Sequence, residues 1–70
     1  MTDSPLATIR QYAAVAEFTG IPESMLYVDP AGFFCALIGG RLDATLTMAG
    51  NVRLGTRTLV GPYGETTPIR

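Results

Sequence analysis

Three arginines carry most of the chemistry available to this 70-residue chain: Arg41, Arg53 and Arg57. A guanidinium stays charged at any ordinary pH and grips carboxylates and phosphates through a planar fork of N–H donors. Arg53 and Arg57 are four apart in a β-branched stretch, a spacing that sets both on one side of a regular strand. With Arg41 they are candidates to hold a small anion or an acidic protein surface. Tyr63, between Pro62 and Gly64, is the aromatic candidate for an exposed contact. The other reactive residue types argue against catalysis. There is no histidine, so neither a Ser-His nor a Cys-His pair can form. Cys35 is the lone cysteine; it has no internal disulfide partner, and its apolar neighbours leave a thiol inert. One cysteine and scattered carboxylates do not make a metal site, and Asp43 and Glu65 have no evident carboxylate partner for acid–base work. Gly39-Gly40 is not followed by the Lys-Ser/Thr of a phosphate loop. The expectation is a protein with no enzymatic activity, no metal and no cofactor.

The elements that must position these side chains begin with a helix. Ser4 can cap it and Pro5 suits its first position. Leu6, Ile9, Ala13 and Ala16 recur at helical spacing with Tyr12 beside them, Gly20 ends the helix, and Pro22 opposes its continuation. The rest reads as strands. Leu42, Ala44, Leu46 and Met48 alternate with Arg41, Asp43, Thr45 and Thr47, the period of a strand with one buried face. Asn51 to Val60 is a second such stretch, with Gly55 as a candidate bulge.

Turn chemistry predicts the register. Asp29-Pro30-Ala31-Gly32 fits a type I turn followed by a glycine bulge, pairing Val28 with Phe34 and Leu26 with Ala36. Gly39-Gly40 fits a two-residue turn, pairing Leu37 with Leu42 and Cys35 with Ala44. Ala49-Gly50-Asn51 fits a three-residue loop, pairing Met48 with Val52 and Asp43 with Arg57. These pairings gather Met25, Tyr27, Phe33, Cys35, Leu37, Leu42, Ala44, Leu46, Met48, Val52 and Leu54 on one face for the helix to cover. A slip of one residue at any loop scatters that set. The predicted architecture is α+β: one N-terminal helix packed on a four-stranded antiparallel meander. Residues 1–60 form the single domain and residues 61–70 an extended C-terminal arm.

The opposite face then carries Leu26, Val28, Phe34, Ala36 and Ile38 on its first half, and Arg41, Asp43, Thr45, Thr47, Arg53 and Arg57 on its second. One short helix cannot cover both sides of a sheet. An exposed apolar half of that kind predicts an interface, so those five residues are expected to be buried in a homo-oligomer, a dimer or higher. The arm folding back over them is the alternative, and a solvated face with Asp43 pairing Arg57 is the plainest reading of the charged half.

Bulk properties agree with an oligomer. A chain this short buries only about 60% of its unfolded surface, and small domains add a disulfide, a metal or a partner subunit. Hydrophobic residues make up 47% of the chain, high for so much surface per residue. Net charge is −1, which gives no overall pull toward nucleic acid or an anionic membrane. Met1 to Pro5 lacks the features of a signal peptide, and the longest apolar run, Phe33 to Ile38, is too short to span a bilayer. A cytoplasmic protein with a reduced Cys35 is expected.

Residues 13–28 resemble helix-turn-helix regulators through Val15, Ala16, Gly20, Ile21, Ser24, Leu26 and Tyr27. The resemblance implies a recognition helix over Pro22 to Val28 and a DNA partner. That segment offers Glu23 but no arginine, lysine, asparagine or glutamine to read base edges. Asp29 stands where an apolar residue is needed, and Pro30 stops the helix. Met25 to Tyr27 are claimed both by this helix and by the first strand, and the turn chemistry favours the strand.

The function expected from these residues is binding. The leading expectation is a protein–protein inhibitor or adaptor of the anti-defence type that mobile elements carry, acting as a homo-oligomer. Two alternatives are a sponge or carrier for a small anionic ligand, held by the arginines, and the DNA-binding regulator.

Overall fold

A computed structural model describes residues 7–69. Ser4, Pro5 and Leu6, the expected cap and first helical residues, lie outside the described residues. Helix α1 spans Ile9–Thr19. Thr8 caps it through a reciprocal box: its hydroxyl accepts from the Gln11 N–H at 3.2 Å, and the Gln11 side-chain oxygen accepts from the Thr8 N–H at 2.7 Å. Gly20 ends it in the left-handed conformation, φ 80°, donating its N–H to the Ala16 carbonyl.

The buried stripe of α1 is rotated from the expected one. Gln11, Val15 and Thr19 are buried, whereas Ile9 is 82% exposed and Ala13 faces solvent. Two of the three buried residues are polar, so hydrophobic spacing does not reveal them. Each is satisfied inside the fold. The Gln11 amide donates to the Gly50 carbonyl, and the Thr19 hydroxyl donates to the Val15 carbonyl and accepts from the Ile21 N–H.

A single 3-10 turn, Glu23–Met25, leads into strand β1, Leu26–Val28. No recognition helix therefore occupies Pro22 to Val28. Strands β2 (Phe33–Ala36), β3 (Gly40–Leu46), β4 (Val52–Val60) and β5 (Thr66–Pro68) complete an antiparallel sheet of five strands in sequential order. The meander is one strand longer than predicted, because part of the expected arm turns back and pairs with β4.

All the hairpins use one loop form. A first residue pairs with the residue four positions later, and its carbonyl accepts from a glycine N–H three positions later. The carbonyl-to-glycine pairs are Asp29 to Gly32, Ala36 to Gly39, Thr47 to Gly50 and Gly61 to Gly64. The first hairpin keeps its predicted register, Leu26 opposite Ala36 and Val28 opposite Phe34. The Asp29 carboxylate tightens this loop by accepting from the Ala31 and Phe33 N–H groups. In the second hairpin the loop is Leu37-Ile38-Gly39, so Ala36 meets Gly40 and Cys35 meets Arg41. That is an odd shift from the predicted pairing of Leu37 with Leu42, and an odd shift exchanges the faces. In the third hairpin Leu46 meets Val52, an even shift, which leaves the faces of β3 and β4 as predicted up to Leu54.

The consequence is an inverted face for β1 and β2. Leu26, Phe34 and Ala36 are buried under α1 together with Val15, Ile21, Leu42 and Ala44, and Val28 packs partly against them. Phe34 and Val15 are fully buried, and the Tyr12 ring meets Phe34 edge to face at 5.6 Å. The residues assigned from the sequence to an oligomer interface are thus mostly the core of the monomer; Ile38 alone stands exposed, in the β2–β3 turn. Tyr27, Phe33 and Cys35 take the other face. Met48, expected in the core, is fully exposed at the tip of the β3–β4 loop, and Leu37 is exposed in its turn.

Gly55 does mark a bulge, and a wide one. Ala44 pairs with Leu54 and Leu42 with Leu59, so residues 55–58 stand opposite Asp43 alone. The Asp43 carboxylate fills the gap, accepting from the Thr56 N–H and hydroxyl at 3.1 and 3.2 Å. It lies so close over Gly55 that a Cβ there would collide with it. The expected Asp43–Arg57 cross-strand pair is therefore replaced by Asp43–Thr56. No helix among the described residues is long and apolar enough to cross a membrane.

Candidate binding face

The side of the sheet away from α1 is open. One row of residues crosses it, a residue from each strand: Tyr27 opposite Cys35, Cys35 opposite Arg41, Arg41 opposite Val60, Val60 opposite Thr66. A second row holds Phe33, Thr45 and Arg53. The Arg41 guanidinium bridges the rows, lying over the Phe33 ring at 4.4 Å from its centre. Stacking of this kind holds a flexible side chain in place while leaving the edge of its donor fork free.

Cys35 is buried on this face, not on the helix face where the sequence put it. Its thiol is within weak donor reach of the Asp29 carboxylate, 3.9 Å, and of the Phe33 carbonyl, 3.8 Å. Burial raises the thiol pKa and the Asp29 charge raises it further, while the Tyr27 hydroxyl and Arg41 pull it partly back. The Tyr27 phenol is also raised, first by the neighbouring Cys35 charge and then by its hydrogen bond to that sulfur. Both groups stay protonated at neutral pH, so the pair forms a neutral centre to the face rather than a nucleophile. Among the described residues no three His, Cys, Asp or Glu side chains gather as a metal site would need.

The sequence-predicted arginines are split. Arg41 and Arg53 lie on the open face. Arg57 lies within the bulge, where its carbonyl accepts from the Ile69 N–H; Ile69 packs on the core, so Arg57 falls on the helix side of the sheet. The four-residue spacing misled because it assumes an unbroken strand. Tyr63 is exposed in the β4–β5 turn. Arg41 also lines a cleft of about 340 Å³ with Gly39, Gly40, Val60, Gly61 and Pro62, where the β2–β3 and β4–β5 turns meet. Sequence reasoning missed Tyr27 and Phe33 as surface aromatics. The signal that finds them is the recurring loop form: placing a glycine at the fourth loop position at Gly39, as at Gly32 and Gly50, gives the observed faces.

The chain matches no known protein family, and neither curated proteins nor solved structures provide a match.

Proposed function

We infer that the protein is a non-enzymatic binding module, an inhibitor or adaptor, which captures a protein partner on the open face of its sheet in the cytoplasm. The observation that carries this reading is the composition of that face. One helix is used up on the other side, and what remains uncovered is Tyr27, the stacked Phe33–Arg41 pair and Arg53. Tyrosine and arginine on a rigid platform are the side chains that dominate protein interfaces. The edges of the sheet are less available. Strand β1 has only three residues, and Pro68 removes a donor from β5.

Capture from lysate with the immobilised protein tests this reading. Wild type is compared with a Tyr27→Ser/Arg53→Ser variant and with Ile9→Ser on the exposed side of α1, by mass spectrometry of the protein and small-molecule fractions. Partners lost with the first variant and kept with the second support the reading. Partners held equally by all three overturn it. A second reading, a carrier for a small anion, is favoured by the Arg41-lined cleft and predicts enrichment in the small-molecule fraction instead.

A further inference from the structure

We propose that the cleft at the turn end of the open face receives a protein segment carrying a carboxylate beside a large apolar side chain. The proposal rests on the reading of the open face as a protein-binding surface and assigns it a site and a partner chemistry. Charge complementarity supplies the first half. The carboxylates around the face are engaged by the protein's own groups: Asp29 by the Ala31 and Phe33 N–H groups, Asp43 by Thr56, Glu65 by the Tyr63 N–H. Arg41 has only the Phe33 ring against its flat side, and among the described residues no carboxylate pairs with it. The fixed, uncommitted charge at the cleft is thus a guanidinium fork, whose best partner is a carboxylate gripped by two N–H groups.

The apolar half comes from the walls. Val60 and Pro62 line the cleft beside Arg41, and Leu37, Ile38 and Tyr63 stand exposed on the two turns that frame it. A bare anion would leave these side chains in water. A purely apolar segment would cover the guanidinium without pairing it, which is costly. A segment with an acidic residue next to a large apolar one satisfies both. Its orientation follows from Glu65, whose carboxylate packs onto Gly61 and adds a negative charge on the β4–β5 side of the cleft. The incoming carboxylate belongs on the Arg41 side and the apolar group toward Pro62.

The test is a titration of the isotope-labelled full chain, followed by NMR, with short blocked peptides in a Gly-Ser frame. Their central pairs are Asp-Phe, Asn-Phe and Asp-Ser; sodium phosphate and free glutamate are titrated separately. Saturable shifts from Asp-Phe at residues 37–41 and 60–63 are expected, with Asn-Phe and Asp-Ser each at least about fivefold weaker. Arg41→Gln abolishes the shifts while the remaining sheet resonances stay in place. Glu65→Gln, which keeps the acceptor for Tyr63, tightens Asp-Phe binding about twofold by removing a like charge from the rim. Equal response to phosphate or glutamate overturns the proposal in favour of a simple anion site. Asp-Phe shifts centred on Tyr27, Thr45 and Arg53 overturn the placement and leave the binding face standing. The absence of shifts with millimolar Asp-Phe also overturns it, whereas failure of the binding-face reading is seen separately in the Tyr27/Arg53 capture experiment.

Discussion

Phe34 and Tyr27 sit on opposite faces of one sheet, and truncation separates them. Phe34 is fully buried, so Phe34→Ala is expected to cost about 3–5 kcal/mol, as large-to-small core changes do. A chain of this size has only about 4–10 kcal/mol in hand, so the variant is expected largely unfolded by circular dichroism. Tyr27 is 43% exposed, and Tyr27→Ala should cost under about 1 kcal/mol in urea denaturation. The face assignment read from the sequence demands the reverse order. The second residue-scale prediction concerns pH. The Cys35 pKa is raised by folding, so the folded state holds its proton longer than the unfolded one. Stability from this group is complete below the unfolded thiol pKa, about 8.5, and falls as pH rises above it. Cys35→Ser should flatten that part of the stability profile, and in the native protein iodoacetamide should leave Cys35 unmodified at neutral pH while labelling it in denaturant. The third concerns the bulge. Gly55→Ala drives a methyl against the Asp43 carboxylate and must dislodge it from Thr56, at a cost of about 1–2 kcal/mol. In an Asp43→Ala background the same change should cost measurably less, a coupling that a double-mutant cycle in urea reads directly. Strict additivity would mean that the carboxylate does not hold the bulge.

At the scale of elements, what was legible depended on whether each turn had one chemical solution. Asp29-Pro30-Ala31-Gly32 has one, since the proline, the carboxylate cap and the glycine agree, and the register of β1 against β2 follows from it. Gly39-Gly40 has two. Read as a pair they make a tight turn; read with Gly39 closing Leu37-Ile38 they make the loop the protein uses. Leu37 and Ile38 look like strand residues because they are apolar, and nothing local says they belong in a turn. The tight-turn reading turns Tyr27, Phe33, Cys35 and Leu37 inward and sets Leu26, Val28, Phe34 and Ala36 outside as an oligomer interface; the loop the protein uses exchanges the two sets. The bulge was foreseen at Gly55, but its width depends on the Asp43 carboxylate reaching across from another strand, which no local pattern records. Strand β5 is short and without a hydrophobic period, so nothing in its own residues marks it as a strand; its pairing with β4 makes it one. The helix shows the same limit: Gln11 is a polar residue in the buried stripe because its amide meets Gly50 on a distant loop. Gln11→Ala should therefore cost about 1 kcal/mol, from the lost half of the capping box and the lost bond to the Gly50 carbonyl. A surface glutamine would cost almost nothing, and thermal denaturation distinguishes the two.

For the molecule as a whole, the inverted face changes what self-association would need. The apolar half expected between subunits is already buried within one chain, so the 7.4 kDa monomer is expected by light scattering at micromolar concentration. A dimer that survives dilution would place a second copy on the open face and displace the partner reading. The open face itself is built from a cross-strand row, Tyr27, Cys35, Arg41, Val60 and Thr66, with one residue from each strand. The members on β1, β3 and β5 are exposed, and the helix-side core beneath them is contributed by their alternating neighbours. The exposed surface and the folding core are thereby written in separate letters of the same strands. Such a surface can drift in sequence, one strand at a time, and acquire a new specificity without passing through an unfolded intermediate genotype.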